Sequence, residues 1–261
     1  MADILNNMIP VKRAGRQTVL FSNPPAIISS ATVVGPMEGK GPLGPYFDMV
    51  LKDDTWGEDS WEKAERKMFE HTVRGAMDKV NLQSGGVDCL LGGDLLNQII
   101  SANFAARELK LPFLGLYGAC STMAESLLIG SMLIDGGYAG RVACIATSHF
   151  STAERQYRNP LEMGGQTTPT AQRTVTGAGC SIAANPTLEG DRLYGNVFVT
   201  AGTIGKVTDL GITDVNNMGA AMAPAAVDTL TAHLSDTGRG VMDYDLIAVS
   251  YTHLTLPTKL E

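Results

Sequence analysis

The fold is decided by LPFLGLYGACSTMAESLLIGSMLID, residues 111–135, which predicts a strand, a tight turn and a helix. Pro112 to Tyr117 is a short apolar run, which is typical of a strand buried within a sheet. The small residues 118–119 permit a sharp turn, and Ser121 or Thr122 is placed to cap the helix that follows. Because that helix is apolar almost all round, we expect it to be buried on every side.

Cys120 stands at the first turn of this helix. Unpaired backbone N–H groups and the helix dipole favour a thiolate there, so we expect a lowered pKa. One interpretation is a nucleophilic or ligand-touching cysteine at the floor of a pocket. The other is a small buried residue that acts as a weak hydrophobe. The pattern alone leaves both open.

The composition limits the classes of function. The chain has 261 residues and a net charge of -7 without any Lys/Arg run, which argues against nucleic acid as a partner. Its four cysteines are widely spread, with no CxxC and no Cys/His cluster, so we expect neither a metal site nor a secreted disulfide scaffold. The first 15 residues lack the apolar core of a signal peptide, and no apolar run is long enough for a transmembrane segment.

The first part of the chain predicts an α/β sheet covered by helices. Apolar strand patterns alternate with amphipathic helix patterns; the strands are expected at 26–34, 87–92, 141–148 and 175–184, and the helices at 61–80 and 95–109. Asp59 or Ser60 begins the first helix. Its apolar stripe starts with Trp61, Ala64 and Met68, and Glu65 is assigned to the charged face opposite.

The second part repeats this layout. Residues 195–207 are rich in β-forming residues, 219–234 form an Ala-rich helix with Pro224 either outside it or at a kink, and 245–249 form a buried strand. This duplication predicts one α/β half, residues 1–186, and the start of a second, residues 187–249. Residues 250–261, SYTHLTLPTKLE, fit neither pattern and are interpreted as a non-native tail.

Two polar residues follow predicted strands. Asp94 comes directly after 87–92, where it caps the next helix or lies at the strand end where α/β sheets bind ligands; both roles are compatible. His149 follows 141–148, and is either a pocket residue or a loop histidine without a role.

The polar segment 151–173 carries Arg155, Arg158 and Arg173 around a Gly-Gly doublet. Charged loop residues are usually solvated. A group of three arginines nevertheless fits a carboxylate, because a guanidinium binds carboxylates through two parallel hydrogen bonds. Both interpretations stay open.

These motifs resemble a known family. A cysteine on a central helix after a Gly-Ala turn, within two α/β halves, is similar to the thiolase and ketoacyl-synthase fold. More narrowly, the chain resembles the stage V sporulation protein AD family of endospore-forming bacteria. The resemblance is carried by GKGPLG (39–44), GGDLLNQ (92–98), GACSTMAES (118–126), LIDGGYA (133–139), SHFSTAERQYRNP (148–160), GGQTTPTAQRTVTGAG (164–179), DLGITD (209–214) and MGAAMAPAA (218–226).

The resemblance implies a thiolase-like protein that binds dipicolinic acid (pyridine-2,6-dicarboxylate) for uptake into the developing spore. It implies stage V sporulation membrane proteins as partners and a peripheral place on the cytoplasmic face of the forespore inner membrane. No cofactor is expected, although Ca²⁺ with the ligand is an open alternative. A homodimer is expected through a sheet edge, with Arg141–Ser148 as the edge strand.

The thiolase-type nucleophile position maps onto Cys120, so a thiolase-like or ketoacyl-synthase-like acyltransferase is the alternative function. The His and Asn partners that such enzymes need would lie beyond Val249, which argues against catalysis. The ligand-binding residues expected together are Cys120, Asp94, His149, Arg155, Arg158 and Arg173.

Overall fold

The computed structural model describes residues 12–157, 174–189, 197–214 and 217–248. Its strands are β1 (Arg13–Ala14), β2 (Thr18–Leu20), β3 (Ala26–Val34), β4 (Met49–Val50), β5 (Cys89–Gly93), β6 (Phe113–Gly115), β7 (Arg141–Ser148), β8 (Gly177–Ala184) and β9 (Ala201–Thr203). Its α-helices are α1 (Trp61–Asp78), α2 (Ile100–Leu109), α3 (Thr122–Asp135), α4 (Phe150–Tyr157), α5 (Pro186–Glu189) and α6 (Met218–Thr237). The α/β character predicted from the sequence is therefore confirmed.

Residues 23–199 form one compact unit around a mixed six-stranded sheet in the order β4-β3-β8-β7-β5-β6. Strand β8 runs antiparallel to both β3 and β7, whereas β5 is parallel to β7 and β6. The predicted edge position of Arg141–Ser148 is wrong, because β8 returns along its open side. The strands at the edges of this sheet are β4 and β6.

Helices cover both faces of this sheet. On one face, α1 and α2 bury Phe69, Val73 and Ala102 against strand residues such as Leu90 and Ile145. On the other face, α3 packs its buried Ile134 against a smaller strand cluster; that cluster consists of Leu91, Val142, Cys144 and Ala183. This arrangement is the one expected when parallel strands are joined by helical crossovers.

The predicted burial of α3 on every side is wrong for the described residues. Its sheet-facing positions include Ser126, Gly130 and Ile134, which are buried, whereas Leu128 and Met132 are only half-buried. The buried stripe is made largely of small residues that let the helix approach the sheet closely. The large apolar side chains lie to the side of that stripe.

The sequence locates the start of α1 better than the start of α2. Ser60 caps α1 as predicted, and its hydroxyl accepts a hydrogen bond from the Lys63 N–H at 3.3 Å. Helix α2 begins at Ile100 instead of residue 95, because Gln98 and Ile99 adopt left-handed backbone angles with φ of 61° and 47°. Residues 97–99 form a 3₁₀ turn before the helix.

Residues 1–22 and 200–261 form the other compact unit, whose described part contains β1, β2, β9 and α6. These three strands form an antiparallel sheet in the order β1-β2-β9. Pro224 lies within α6, which begins at Met218. The strand predicted at 245–249 is wrong, since residues 245–248 belong to neither sheet and Leu246 is 75% exposed. The predicted domain limits at 186 and 249 stay predictions.

Candidate functional site

Cys120 lies in an exposed turn that joins β6 to α3. It belongs to a 3₁₀ turn, Ala119–Ser121, and not to the α-helix itself. Its exposure contradicts the interpretation as a small buried residue, whereas the interpretation as a pocket cysteine stays a prediction. The cap is also corrected, because the Ser121 hydroxyl donates to the Gly118 carbonyl at 2.7 Å and does not accept from the helix. Ala119 has a φ of 48°, a left-handed conformation that costs a residue with a Cβ about 1 kcal/mol.

Two tyrosines lie close to this turn. The Tyr157 hydroxyl donates to the Leu95 carbonyl and is 3.2 Å from the hydroxyl of Tyr117. Partial burial raises the pKa of Tyr157, and its hydrogen bond with Tyr117 and the charges of Tyr117, Asp94 and Cys120 add to that rise. The sequence interpretation missed both tyrosines. Sequence position could have indicated Tyr117, since it ends the strand pattern before Cys120.

Asp94 is buried just after β5, and both of its carboxylate oxygens accept backbone hydrogen bonds. The Leu96 N–H donates at 2.7 Å and the Ala102 N–H at 2.6 Å. The predicted capping role is therefore confirmed, although the cap spans the 3₁₀ turn to reach α2. Burial raises the pKa of Asp94, and the backbone bonds oppose that rise. Its predicted contact with a ligand stays a prediction.

His149 is fully buried at the end of β7. Its Nδ1 accepts from the Ser151 N–H at 3.2 Å, so its Nε2 carries the proton and donates to the Asp54 carbonyl at 2.8 Å. The ring stacks against Trp61, with a centroid distance of 6.3 Å. Burial lowers the pKa of His149. With both nitrogens engaged, this neutral histidine ties three segments together.

Glu65 is the charged residue that the sequence interpretation misplaced. It is fully buried on α1, where Thr147 lies 3.3 Å and Thr152 3.1 Å from its carboxyl oxygens. Burial, followed by repulsion from Asp94, raises its pKa to about 8. A helical period detects this position, because Glu65 lies four residues after Trp61 and in line with the buried stripe.

The geometry around Thr152 agrees with a protonated Glu65. The Thr152 hydroxyl is 3.0 Å from the His149 carbonyl and 3.1 Å from Glu65 Oε2. A hydroxyl has one proton to donate. When Thr152 gives it to the carbonyl, which can only accept, the bond to Glu65 requires a proton on the carboxyl group.

Of the three arginines that were predicted to bind a ligand, one lies within the described residues. Arg155 lies on α4 and pairs with Glu62 of α1. Arg158 and Arg173 lie outside the described residues. The structure thus brings Cys120 and Asp94 near Tyr157, while His149 belongs to a separate buried network with Glu65.

Two kinds of feature are absent from the described ranges. No group of three or more His, Cys, Asp or Glu residues there could hold a metal ion. None of the helices in that part of the chain is long and apolar enough to cross a membrane.

The fold is similar to that of several solved structures. A cerulenin-bound OleA variant from Xanthomonas campestris matches with a TM-score of 0.61 at 15% identity, over 94% of this chain and 80% of that one. A 3-oxoacyl-(acyl carrier protein) synthase III from Xanthomonas oryzae pv. oryzae matches with a TM-score of 0.56 at 17% identity, over 90% and 80%. These likenesses confirm the thiolase-like fold predicted from the sequence.

The sequence is similar to a sporulation protein along most of its length. The family model described as Stage V sporulation protein AD (SpoVAD) matches residues 15–251. The Stage V sporulation protein AD of Bacillus subtilis (strain 168) is 46% identical over 237 residues, which cover 91% of this chain and 68% of that protein. The chain therefore belongs to the stage V sporulation protein AD family.

Proposed function

We propose that this sporulation protein binds dipicolinic acid for its uptake into the developing spore. Family membership supports a role in sporulation, and the exposed turn at Cys120 is the observation on which the proposed ligand site rests. This turn leads into the 14-residue helix α3, whose N-terminal end favours an anion because of its N–H groups and dipole. The hydroxyls of Tyr117 and Tyr157 supply polar groups beside it.

Each carboxylate of the ligand has a suggested partner. One accepts hydrogen bonds at the start of α3, next to Cys120. The other pairs with Arg158 or Arg173. Arg155 takes part only if it leaves Glu62, with which it is paired. Asp94 has an indirect role. It holds the loop whose Leu95 carbonyl accepts a hydrogen bond from Tyr157 and so orients that side chain.

Calorimetric titration of dipicolinate into the purified protein tests this proposal. We expect heat of binding at ligand concentrations up to about 1 mM, and a weaker response from Cys120→Ala and Tyr157→Phe. Cys89→Ala is the matched control, because Cys89 is a free cysteine on β5 at some remove from the turn in sequence. Repeating the titration with Ca²⁺ tests whether the ion accompanies the ligand. An absence of heat with and without Ca²⁺ contradicts the proposal.

The peripheral location is part of the same proposal. Stage V sporulation membrane proteins would hold the chain on the cytoplasmic face of the forespore inner membrane. Sedimentation with spore inner-membrane vesicles tests this, and we expect binding only to vesicles that contain those partners. Equal binding to protein-free lipid vesicles would contradict a protein partner.

A homodimer remains a proposal, and the edge strand that supports it is now β6. Leu114 on β6 and Tyr117, two residues past it, are 53% and 54% exposed, and β6 pairs with β5 on one side only. An open strand edge is a template for pairing with a second copy. We expect sedimentation velocity to show a dimer that Leu114→Lys weakens. Leu188→Lys, at another exposed leucine, is the control and leaves the dimer intact.

An acyltransferase is the second candidate, because the exposed Cys120 thiol stands at the head of a helix within a condensing-enzyme fold. His149 does not support it, since both of its nitrogens are engaged in structural hydrogen bonds. Mass spectrometry after incubation with acyl-CoA discriminates the two functions. A thioester adduct on Cys120 that Cys120→Ala abolishes favours the enzyme, and an unmodified thiol argues against it.

A further inference from the structure

A positively charged cleft lies in the unit formed by residues 1–22 and 200–261. It has a volume of about 300 Å³ and lies between the β1–β2 turn and the segment after β9. Its lining consists of Arg13, Arg16, Gln17, Ile204, Gly205 and Lys206. Three of these six residues are cations and none is acidic, in a chain whose net charge is -7. Such a local reversal of charge attracts anions.

The β1–β2 turn, which carries Arg16 and follows Arg13 of β1, is held in place by α6. The Asp236 carboxylate accepts backbone hydrogen bonds from Arg16, Gln17 and Thr18 at 3.1, 2.9 and 3.0 Å. Gly15, with a φ of +60°, lies so close to this carboxylate that a Cβ would be 1.9 Å from its Oδ1. The turn therefore requires glycine, and its shape is fixed before any ligand binds.

The side chains of the turn connect the two walls of the cleft. The Gln17 side-chain amide donates to the Ile204 carbonyl at 3.0 Å, which links the turn to the opposite wall. The Arg13 guanidinium donates one hydrogen bond to the Arg16 carbonyl at 2.7 Å. A guanidinium has five donors, so most of those on Arg13 stay available.

Arg16 has the most available charge. Within the described ranges, its guanidinium has neither a hydrogen-bond acceptor nor an acidic partner. Lys206 on the opposite wall is 3.0 Å from Asp228 Oδ1. Of the two nearby carboxylates, Asp236 accepts backbone hydrogen bonds, whereas Asp228 is engaged by Lys206 through Oδ1 only, and its buried Oδ2 has no hydrogen-bond partner among the described residues.

We propose that this cleft binds a small organic oxyanion that carries carboxylate or phosphate groups. Guanidinium forks match the oxygens of carboxylate and phosphate with two parallel hydrogen bonds, and Lys206 adds a compact charge. The volume of about 300 Å³ suits a small organic molecule. The proposal goes beyond the proposed function, because none of the cleft residues belongs to the site at Cys120.

Titrations with two probes test the cleft: inorganic phosphate and phenyl phosphate, a benzene ring with a single phosphate group that lacks the two carboxylates of dipicolinate. We expect the wild-type protein to bind at least one of them, with an affinity that falls as salt is added. The double variant Arg13→Gln/Arg16→Gln should lower that affinity about 10-fold or more. The charge-matched control Arg74→Gln/Arg107→Gln, which removes two exposed arginines from α1 and α2, should stay within about 2-fold.

A second pair of variants separates charge from structure. Lys206→Arg keeps the cation beside Asp228 and should retain binding, whereas Lys206→Gln should weaken it. Unchanged circular dichroism and melting of all variants show that the fold is intact. Binding to neither probe, or equal affinity in the Arg13→Gln/Arg16→Gln variant, overturns the proposal. Cys120→Ala should leave probe binding unchanged, so this cleft and the dipicolinate site can fail independently.

Discussion

The junction after β6 and the junction after β7 look alike in sequence but differ in the structure. Each follows an apolar strand and leads into a helix, and each carries a residue, Cys120 or His149, that is typical of a catalytic site. Cys120 is exposed in its turn, whereas His149 is fully buried with both nitrogens engaged. A reactive residue type at a strand end therefore does not show by itself whether the residue can reach a ligand.

The difference comes from what packs over each junction. Trp61 and Glu65 of α1 cover the end of β7, where the polar groups of Thr147 and His149 must find partners inside the protein. The Cys120 turn has the hydroxyls of Tyr117 and Tyr157 nearby, and both tyrosines are exposed. Among the described residues, the first junction is exposed, and the second is a buried network within the fold. Four predictions test this division.

The largest expected effect is the change that Glu65 causes in the free energy of unfolding as the pH is varied. Its pKa is about 8 in the folded protein and near 4.5 in the unfolded chain, so only the unfolded state ionises as pH rises between these values. The contribution of protonated Glu65 to the free energy of unfolding is complete below pH 4.5 and is lost progressively as the pH rises to 8. At 1.4 kcal/mol per pKa unit, the loss amounts to roughly 3–5 kcal/mol.

Glu65→Gln removes this proton equilibrium while keeping the size and polarity of the neutral acid. Urea unfolding at pH 5 and pH 9 should show a free energy of unfolding that falls less with pH in the variant than in the wild type. Glu58→Gln is the control, because Glu58 is half-buried and paired with Lys67. Identical pH profiles for wild type and Glu65→Gln would show that Glu65 is ionised in the folded state.

His149→Leu is expected to have the next largest effect. It leaves the Asp54 carbonyl and the Ser151 N–H without their partner, which should lower the free energy of unfolding by about 2–4 kcal/mol at pH 7. His149→Gln, which retains an amide donor and acceptor, should recover part of the loss. A change below about 0.5 kcal/mol in the leucine variant would contradict a structural role.

The pH dependence of the His149 contribution has the opposite direction to that of Glu65. Burial lowers the pKa of His149 below its usual 6.5, so the unfolded chain takes up a proton first as the solution becomes acidic. The stability from His149 is full above pH 6.5 and is lost as pH falls through the folded pKa. The variant should therefore lose less stability than the wild type in that window.

The sequence located many elements because they depend on local pattern. The limits of β3 and β7 were predicted correctly, and the cap of α1 is Ser60, one of the two residues predicted to begin it. The place of β7 inside the sheet was not predictable, because β8 reaches it from 29 positions further along the chain, past residues with no strand pattern. The start of α2 was missed since Asp94 caps across a left-handed turn.

The candidate site was predicted less completely than the fold. Asp94 and Cys120 were proposed from their positions at strand ends, and Tyr157 is hydrogen-bonded to Leu95, next to Asp94, and to Tyr117, three residues before Cys120. Tyr157 lies in a segment that the sequence interpretation assigned to a polar loop, so its return to Tyr117 depended on α4, which was not predicted. Glu65 was predicted to lie on the charged face of its helix because its charge was given more weight than its position in the helical period.

Asp94→Ala is expected to have an intermediate effect. The N–H groups of Leu96 and Ala102 would lose their acceptor inside the protein, and the free energy of unfolding should fall by about 1–3 kcal/mol. Asp88→Ala is the matched control, since Asp88 accepts two N–H bonds at the other end of β5 but is exposed. Equal losses in the two variants would mean that burial of Asp94 contributes nothing.

Cys120→Ala is expected to change stability least, by less than about 0.5 kcal/mol, because the thiol is exposed. The same exposure should make Cys120 the first of the four cysteines to react with a thiol reagent. Burial raises the pKa of Cys144 to about 12 and that of Cys180 even more clearly, so both should react only after unfolding.

Peptide mapping after brief alkylation measures the order of these reactions. A Cys120 that reacts no faster than Cys144 would mean that another part of the protein, or a second copy, covers the turn. In that case the contrast with His149 would hold for stability alone, since both junctions would be closed to solvent. Rapid alkylation of Cys120 that dipicolinate slows would instead place the ligand at the open junction, because a bound anion would screen the thiol without any change in the fold.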